Sequence, residues 1–213
     1  MAGVIRSTRS ALQADSEDEI RLTPRARAKA ERREEILTAA SKLMSKHGFR
    51  GVRLDDIGQA VGVSGPAMYR HFSSKEDLLM EMLTDISERL HAAAEAVVAS
   101  ESDPAARLEG LIAVHVDFVI TEPALISVQY RDLEVLPESA RRKVRSLQRQ
   151  YLDIWTKALQ GHNPALDDTS ARIRVSGGIG LLNSSPRFPR APREYLRHLL
   201  TAMVRASLTA EAE

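Results

Sequence analysis

Apolar positions recur along this chain at the spacing of helices rather than of strands. Between residues 36 and 44, five apolar side chains follow the i, i+1, i+4, i+7, i+8 pattern of one buried helical face. Gly48 comes just past the last apolar turn, where a glycine commonly ends a helix. The pattern therefore predicts a helix from about residue 31 to Gly48.

Two short helices are predicted next, at 54–61 and from Ser64 to Phe72, with a tight turn at Gly62 between them. Ser64 is a favourable N-cap residue, and Pro66 is tolerated in a first helical turn. Ile57 and Val61 are expected to face inward, and Val63 is expected to anchor the turn to the core.

The rest of the chain repeats the helical pattern. Longer helices are predicted after Ser74, Asp103 and Pro137, then at about 167–183 and at about 193–208. No convincing alternation of apolar and polar residues indicates a strand, so the predicted fold class is all-α. The last helix is expected to bury Leu196, Leu199, Leu200, Met203 and Val204.

Composition narrows the class of protein. The 213 residues contain no cysteine, which excludes disulfides and thiolate metal sites. The chain shows no signal-peptide pattern and no apolar run near the roughly 20 residues of a membrane span, so a cytoplasmic protein is expected. The six histidines show no zinc spacing, and 62–66 lacks the nucleophile-elbow pattern. We therefore expect no metal, no cofactor and no enzymatic activity.

The small net charge of +1 conceals an uneven distribution. Residues 1–75 hold 14 Lys/Arg and 9 Asp/Glu, whereas the remainder holds 16 and 20. A basic end on a near-neutral chain suits a module that binds a polyanion, although a solvated basic tail gives the same count. Residues 1–30 lack apolar periodicity and are expected to form a mobile arm. Its basic residues lie along DNA phosphates, enter the minor groove or remain solvated: Arg21, Arg25, Arg27 and Lys29.

Two short helices joined by a glycine-containing turn, beside a basic helix, are typical of a helix-turn-helix. The stretch from Ile36 to Leu79 resembles the DNA-binding domain of the tetracycline-repressor (TetR) family. The matching pieces are ILTAASKLMSKHGFRGV, LDDIGQAVGVS and AMYRHFSSKEDLL. The resemblance implies a DNA-binding domain at 31–77 and a larger effector-binding and dimerisation domain at 78–213.

The resemblance also implies roles for single residues. Residues 64–67 would lead the recognition helix, while Tyr69, His71 and Lys75 would contact phosphates. Arg53 stands where the family has a capping Thr or Ser, and it can hold a phosphate instead. Gly58 stands where the family usually has Ala, and this lowers the stability of the helix by about 1 kcal/mol. The implied DNA-binding residues are Arg53, Ser64, Gly65, Pro66, Ala67, Tyr69, Arg70, His71 and Lys75.

The resemblance further implies that the C-terminal domain dimerises through its last two long helices. Gly177, Gly178 and Gly180 in the first of these would allow close helix approach. Polar and aromatic residues on apolar faces are candidates for effector contact, although such residues more commonly belong to the ordinary core. These candidates are Met82, Ile86, His115, Phe118, Tyr151, Trp155 and Asn183.

The function expected from the sequence is a ligand-responsive repressor. It would be released from a pseudo-palindromic operator by a small hydrophobic effector, such as a fatty acyl or acyl-CoA molecule. Arg141, Arg142, Gln148 and Arg149 are near enough to one another in sequence to bind an anionic head group. The alternative is an effector-binding or architectural protein with weak, unspecific DNA contacts.

Overall fold

The computed structural model describes residues 23–210, and the only regular secondary structure within them is helical. This confirms the all-α class. Two 3₁₀ helices, Leu133–Val135 and Ser185–Arg187, accompany the α-helices. The α-helices are α1 (Pro24–His47), α2 (Leu54–Ala60), α3 (Gly65–His71), α4 (Lys75–Ser100), α5 (Pro104–Thr121), α6 (Pro123–Asp132), α7 (Glu138–His162), α8 (Asp168–Leu182) and α9 (Arg193–Thr209).

Helix α1 begins at Pro24, seven residues before the start predicted at about residue 31. The Thr23 hydroxyl accepts a hydrogen bond from the Ala26 N–H at 3.2 Å, and Pro24 occupies the first helical turn. A threonine N-cap followed by proline starts a helix without any apolar face, which is why periodicity missed it. Of the predicted arm, 1–22 lie outside the described residues, and 24–30 are helical.

The described residues form two compact units. The first comprises the residues up to Ile86 together with Ser127–Val144, and the second comprises Ser87–Ile126 and the residues from Arg145 onward. Helices α4, α6 and α7 each contribute residues to both units. The functional boundaries at 31, 77 and 78 stay a prediction, because compactness alone does not locate them.

The first unit has an apolar core built from α1 to α4. Ile36 and Met44 of α1, Ile57 of α2, Met68 of α3 and Leu78 of α4 are all at most 1% exposed. Residues from four successive elements therefore meet in one core, and this positions the two short helices against α1.

The second unit is organised around α5, α8 and α9. Gly178 allows close approach of α8 to α9, since a Cβ there would lie 3.2 Å from Val204 Cγ2. Two ion pairs join α5 to α9, from Arg197 to Asp117 at 2.8 Å and from Arg205 to Glu109 at 2.6 Å. Rising numbers on α9 pair with falling numbers on α5, so these helices run antiparallel.

The burial predicted for α9 is partly wrong. Leu200 and Val204 are buried as expected, but Leu199 and Met203 are 39% and 40% exposed. The buried stripe continues to Leu208 instead. The apolar residues of α9 span more than one face of the helix, and only the face toward α5 and α8 is covered within the chain.

No single helix within residues 23–210 is long and apolar enough to span a membrane; only the bent pair Pro104–Thr121 and Pro123–Val135 meets that test, when its two members are counted together.

Candidate nucleic-acid interface and buried polar cluster

The turn between α2 and α3 depends on two glycines. Gly62 adopts φ 68°, a left-handed conformation that favours glycine. The Val63 N–H then donates to the Gly58 carbonyl at 2.8 Å. Ile57 is buried as predicted, but Val61 and Val63 are only half-buried. The prediction for these two valines is wrong in degree, because backbone hydrogen bonds as well as side-chain burial hold the turn.

Gly58 is explained by close packing. A Cβ at this position would lie 2.6 Å from the Val63 carbonyl oxygen and 2.7 Å from Met68 Cγ. The departure from alanine therefore costs helix propensity but lets the turn and α3 approach α2 more closely than a side chain would allow.

Helix α3 exposes one face and buries the other. Met68 is buried in the core, whereas Ser64, Pro66, Tyr69 and Arg70 are exposed. Gly65 and Ala67 are half-buried. Ser64 occupies the N-cap position, but its hydroxyl makes no capping hydrogen bond within the described residues. The predicted N-cap position is thus correct, but the predicted side-chain hydrogen bond is wrong. The Ser64 hydroxyl can therefore bind another partner.

Arg53 takes the N-cap position of α2 with an exposed side chain. Its backbone N–H donates to Asp56 Oδ2 at 2.7 Å. Asp56 thus supplies the reciprocal half of a capping box, which compensates for the missing Thr or Ser. The guanidinium of Arg53 is consequently not needed to start α2.

His71 lies among cations at the end of α3. Burial lowers the pKa of its imidazole, and the nearby charges of Arg33, Lys29 and Arg70 lower it further. Its Nδ1 is buried without a hydrogen-bond partner in the described part of the chain. The predicted phosphate donor must therefore be the other ring nitrogen, Nε2.

Arg33 fixes this end of α3 in place. Its guanidinium pairs with both carboxylate oxygens of Glu81 and donates to the His71 carbonyl. It also lies 4.1 Å from the centroid of the Phe72 ring. Arg33 therefore joins α1, α3 and α4, a role that no local motif indicates.

Lys75 is held by the chain itself. Its ammonium donates to the carbonyl oxygens of Phe49 and Val52, each at 2.7 Å, and lies 4.2 Å from the Phe49 ring centroid. An ammonium has three N–H donors, so one is left for another partner. The phosphate contact implied for Lys75 stays a prediction, and a structural role is added to it.

Arg131 and Asp132 are a pair that the sequence did not single out. The Arg131 guanidinium donates to the carbonyl oxygens of Met44 and Ser45 in the last turn of α1. The Asp132 carboxylate, which is buried, accepts from Arg131 at 3.0 Å. The Met44 carbonyl also accepts from the Gly48 N–H at 2.8 Å, so the cation adds a second donor to the exposed carbonyl dipoles at this helix C-terminus. Only the three-dimensional structure brings together residues 87 positions apart.

Three of the four basic residues assigned to the predicted arm lie on α1. Arg25, Arg27 and Lys29 are exposed on the first turns of α1. Arg21 lies outside the described residues. Whether this stretch contacts DNA stays a prediction.

In the second unit the structure brings five candidate effector residues together. His115 Nδ1 lies 3.0 Å from the Tyr151 hydroxyl, and His115 Nε2 lies 3.1 Å from Asn183 Oδ1. The imidazole is also 5.7 Å from the Phe118 ring and 6.2 Å from the Trp155 ring, centroid to centroid. Asn183 follows the last turn of α8, so residues from α5, α7 and the end of α8 form this polar cluster.

Burial determines the protonation states in the polar cluster. Desolvation lowers the pKa of His115 to about 4, opposed in part by its hydrogen bond to Asn183. Desolvation also raises the pKa of Tyr151, opposed in part by the nearby Trp155 indole. His115 and Tyr151 are therefore both neutral at physiological pH, and the amide of Asn183 carries no charge at any pH.

Two further candidates, Met82 and Ile86, belong to the first unit, where both are buried. They stay predictions as effector contacts. Two of the residues proposed to bind an anionic head group already form ion pairs within the chain: Arg141 with Glu134, and Arg142 with Glu138.

Helices α8 and α9 each expose a line of apolar or small residues, together called the exposed stripe. On α8, Ile173 is 67% exposed, and a Cβ at Gly177 or Gly180 would meet nothing within 4 Å. On α9, the large apolar side chains left exposed are Tyr195, Leu199 and Met203.

Comparison with known proteins agrees with this arrangement. The family described as "Bacterial regulatory proteins, tetR family" matches residues 36–82, and that described as "Tetracyclin repressor-like, C-terminal domain" matches residues 101–187. The transcriptional repressor KstR2 of Rhodococcus jostii is 27% identical over 133 residues. That alignment covers 62% of this chain and 65% of KstR2, so the chain spans just under two thirds of this relative.

Solved structures show the same fold. A TetR-family regulator from Bordetella parapertussis has a TM-score of 0.75 at 23% identity, covering 83% of this chain and 94% of that one. FadR from Bacillus subtilis, solved with stearoyl-CoA, has a TM-score of 0.66 at 18% identity, covering 84% and 99%. The chain belongs to the TetR family of bacterial regulatory proteins.

Proposed function

We propose that this protein is a ligand-responsive transcriptional repressor that binds operator DNA through α3. The observation that carries the proposal is the geometry of α3: its leading turn is exposed at Ser64 and Pro66, while Met68 holds the helix from behind. A major groove admits a helix presented in this way.

The electrostatics of the first unit support phosphate binding beside that groove. The cations around His71 repel one another and, together with burial, disfavour a positive charge on its imidazole. A bound phosphate would reduce the repulsion among these cations. Tyr69 and Arg70 are exposed on α3, and Arg53 is exposed where α2 begins. We assign phosphate contacts to Arg53, Tyr69, His71 and the remaining donor of Lys75.

We assign the exposed stripe of α8 and α9 to a homodimer interface. Ile173, Gly177 and Gly180 follow one face of α8 at helical spacing. Because the glycines add no side chain there, a second copy of the helix can approach closely. A dimer would place two α3 helices about 34–36 Å apart, one turn of DNA, on a pseudo-palindromic site.

The second unit would bind the effector. The apolar surroundings of the polar cluster favour a hydrophobic molecule, and FadR, which shares the fold, is a protein whose structure holds stearoyl-CoA. A fatty acyl or acyl-CoA effector is therefore proposed. Its binding would favour dimers whose α3 helices no longer match successive grooves.

In this proposal the protein acts by binding alone, in the cytoplasm, without catalysis. KstR2, the relative compared above, is a transcriptional repressor. No three His, Asp or Glu side chains between residues 23 and 210 are grouped as a metal ion would require. Turnover of an acyl-CoA by the purified protein would contradict this assignment.

Footprinting on the DNA upstream of the coding region tests the proposal. We expect two protected half-sites, one helical turn apart, that disappear when the effector is added. A second function, an architectural protein with unspecific contacts, is favoured by the few base-edge donors of residues 65–68. Uniform protection of all DNA would support it and would contradict the repressor.

A further inference from the structure

The polar cluster of the second unit contains one unmatched donor. His115, Tyr151 and Asn183 satisfy one another through two hydrogen bonds of 3.0 and 3.1 Å. The Trp155 indole is fully buried, and its Nε1–H lies near the Tyr151 hydroxyl but meets no acceptor at hydrogen-bonding geometry within the described chain. Buried donors without a partner are rare in folded proteins, so this one calls for an explanation.

The polar cluster carries no net charge. The shifts of His115 and Tyr151 arise from burial and from their polar neighbours Asn183 and Trp155, and no charged side chain of the described residues contributes to them. A carboxylate or an ammonium brought into this surrounding would lose its hydration and gain no counter-charge. A neutral oxygen acceptor would lose far less, because it needs only one or two donors.

The cluster can supply a second donor by rearranging its protons. In one arrangement Tyr151 donates to His115 Nδ1, and His115 Nε2–H donates to Asn183 Oδ1. If the Asn183 amide turns over, its N–H donates to Nε2 and Nδ1–H donates to the tyrosine oxygen, with the same heavy-atom positions. The Tyr151 O–H is then released, on the side chain that the Trp155 indole adjoins.

We propose that the polar cluster recognises an uncharged oxygen acceptor on a hydrophobic effector, such as the carbonyl of a thioester, ester or ketone. Trp155 Nε1–H and the released Tyr151 O–H donate to this oxygen. The proposal rests on the effector site of the proposed function and states its chemistry: a free fatty acid is excluded, and an acyl thioester is accepted.

The test uses the full-length protein and three probes of equal chain length: 2-decanone, decanoate and decylammonium. Trp155 is the only tryptophan, so its indole N–H gives a single resonance in a nitrogen–proton correlation spectrum. We expect 2-decanone to shift this resonance downfield and to bind at least tenfold more tightly than either charged probe. Failure of 2-decanone to bind, or tighter binding of decanoate, would overturn the proposal.

Variants locate the contact. Tyr151→Phe and Trp155→Phe should each weaken 2-decanone binding by about three- to tenfold, as expected for loss of one hydrogen bond, with less effect on decanoate. Tyr130→Phe, at an exposed tyrosine of the first unit, is the matched control and should change nothing. Since Trp155→Phe alters a core residue, the wild-type resonance and Tyr151→Phe keep the test decisive if that variant fails to fold.

Operator binding is measured in parallel on the unliganded protein. If the protein binds its operator but 2-decanone does not shift the indole resonance, this inference is wrong and the proposed repressor function is unaffected. If the resonance responds but no operator is bound, the proposed function fails instead.

Discussion

The Lys75 ammonium donates to the Phe49 carbonyl at 2.7 Å while lying 4.2 Å from the centroid of that residue's ring. With its second bond, to Val52, Lys75 connects the first residue of α4 to the turn that precedes α2. This turn therefore depends on a side chain that is distant in sequence and that was expected to serve DNA alone.

Replacing Lys75 by methionine tests its structural role. The variant keeps the aliphatic stem but leaves two carbonyls without their charged donor, so we expect a loss of about 1–3 kcal/mol in the free energy of unfolding. Urea denaturation measures it. Arg70→Ala is the control, since this exposed residue should affect DNA affinity and change stability by no more than about 0.5 kcal/mol. Equal stability of Lys75→Met and wild type would remove the structural role.

Tyr69 offers a test of the phosphate contacts that does not disturb the core. Its side chain is 59% exposed, so Tyr69→Phe should leave the melting temperature unchanged. The loss of one hydroxyl donor should weaken binding several-fold on operator and random DNA alike. Fluorescence anisotropy with labelled duplexes measures both. Tyr130→Phe, at a residue that is 70% exposed, is the control, and the same loss in both variants would rule out a specific contact.

Gly58→Ala should destabilise the protein although alanine favours helices. The added methyl carbon would lie 2.6 Å from the Val63 carbonyl oxygen, so the turn must shift to make room for it. We expect the free energy lost through this shift to exceed the gain in helix propensity. Gly161→Ala in α7 is the control, because there a Cβ meets only Pro104 Cβ, at 3.7 Å. We expect thermal unfolding to show a lower midpoint for the first and an unchanged or higher one for the second; the reverse order would contradict the packing argument.

Ile173→Glu tests the dimer. This residue is 67% exposed on α8, so a carboxylate there leaves the fold of one protomer intact but is costly inside an interface. Sedimentation velocity should show dimers for the wild type and monomers for the variant, with weaker operator binding. Tyr130→Glu adds the same charge at an exposed site in the first unit and should remain dimeric. If the Ile173→Glu variant is still dimeric, the interface does not include this face of α8.

Stability should fall in mild acid because of His115. Burial lowers its pKa to about 4 in the folded state, while the unfolded chain takes up the proton near 6.5. The stabilisation is complete above pH 6.5 and is lost as the pH falls toward 4, in total about 3 kcal/mol. Urea unfolding at a series of pH values measures this, with the exposed His198→Gln as control. A His115→Gln variant that keeps the full wild-type slope would contradict the assignment.

The sequence predicted what depends on neighbours along the chain. The glycine turns at Gly48 and Gly62 and the buried position of Ile57 all follow from local spacing, and the structure confirms them. The start of α1 was missed because Thr23 and Pro24 begin a helix without apolar residues.

What the sequence could not predict depends on partners far along the chain. The bond from Arg131 to the Met44 carbonyl joins residues 87 positions apart, and the bond from Arg33 to the His71 carbonyl spans 38. Nothing in the local pattern distinguishes these arginines from solvated ones. The effector candidate His115 was chosen from its place on an apolar face, but its partners became visible only when three helices came together.

Binding to duplex DNA at several salt concentrations tests the central claim, that the exposed leading turn of α3 reads a groove. The DNA upstream of the coding region is compared with a scrambled duplex of equal length. The account predicts that both affinities fall as salt rises and that the upstream duplex is bound at least about 10³-fold more tightly, as specific regulators bind. Equal affinity for the two duplexes at every salt concentration would contradict it.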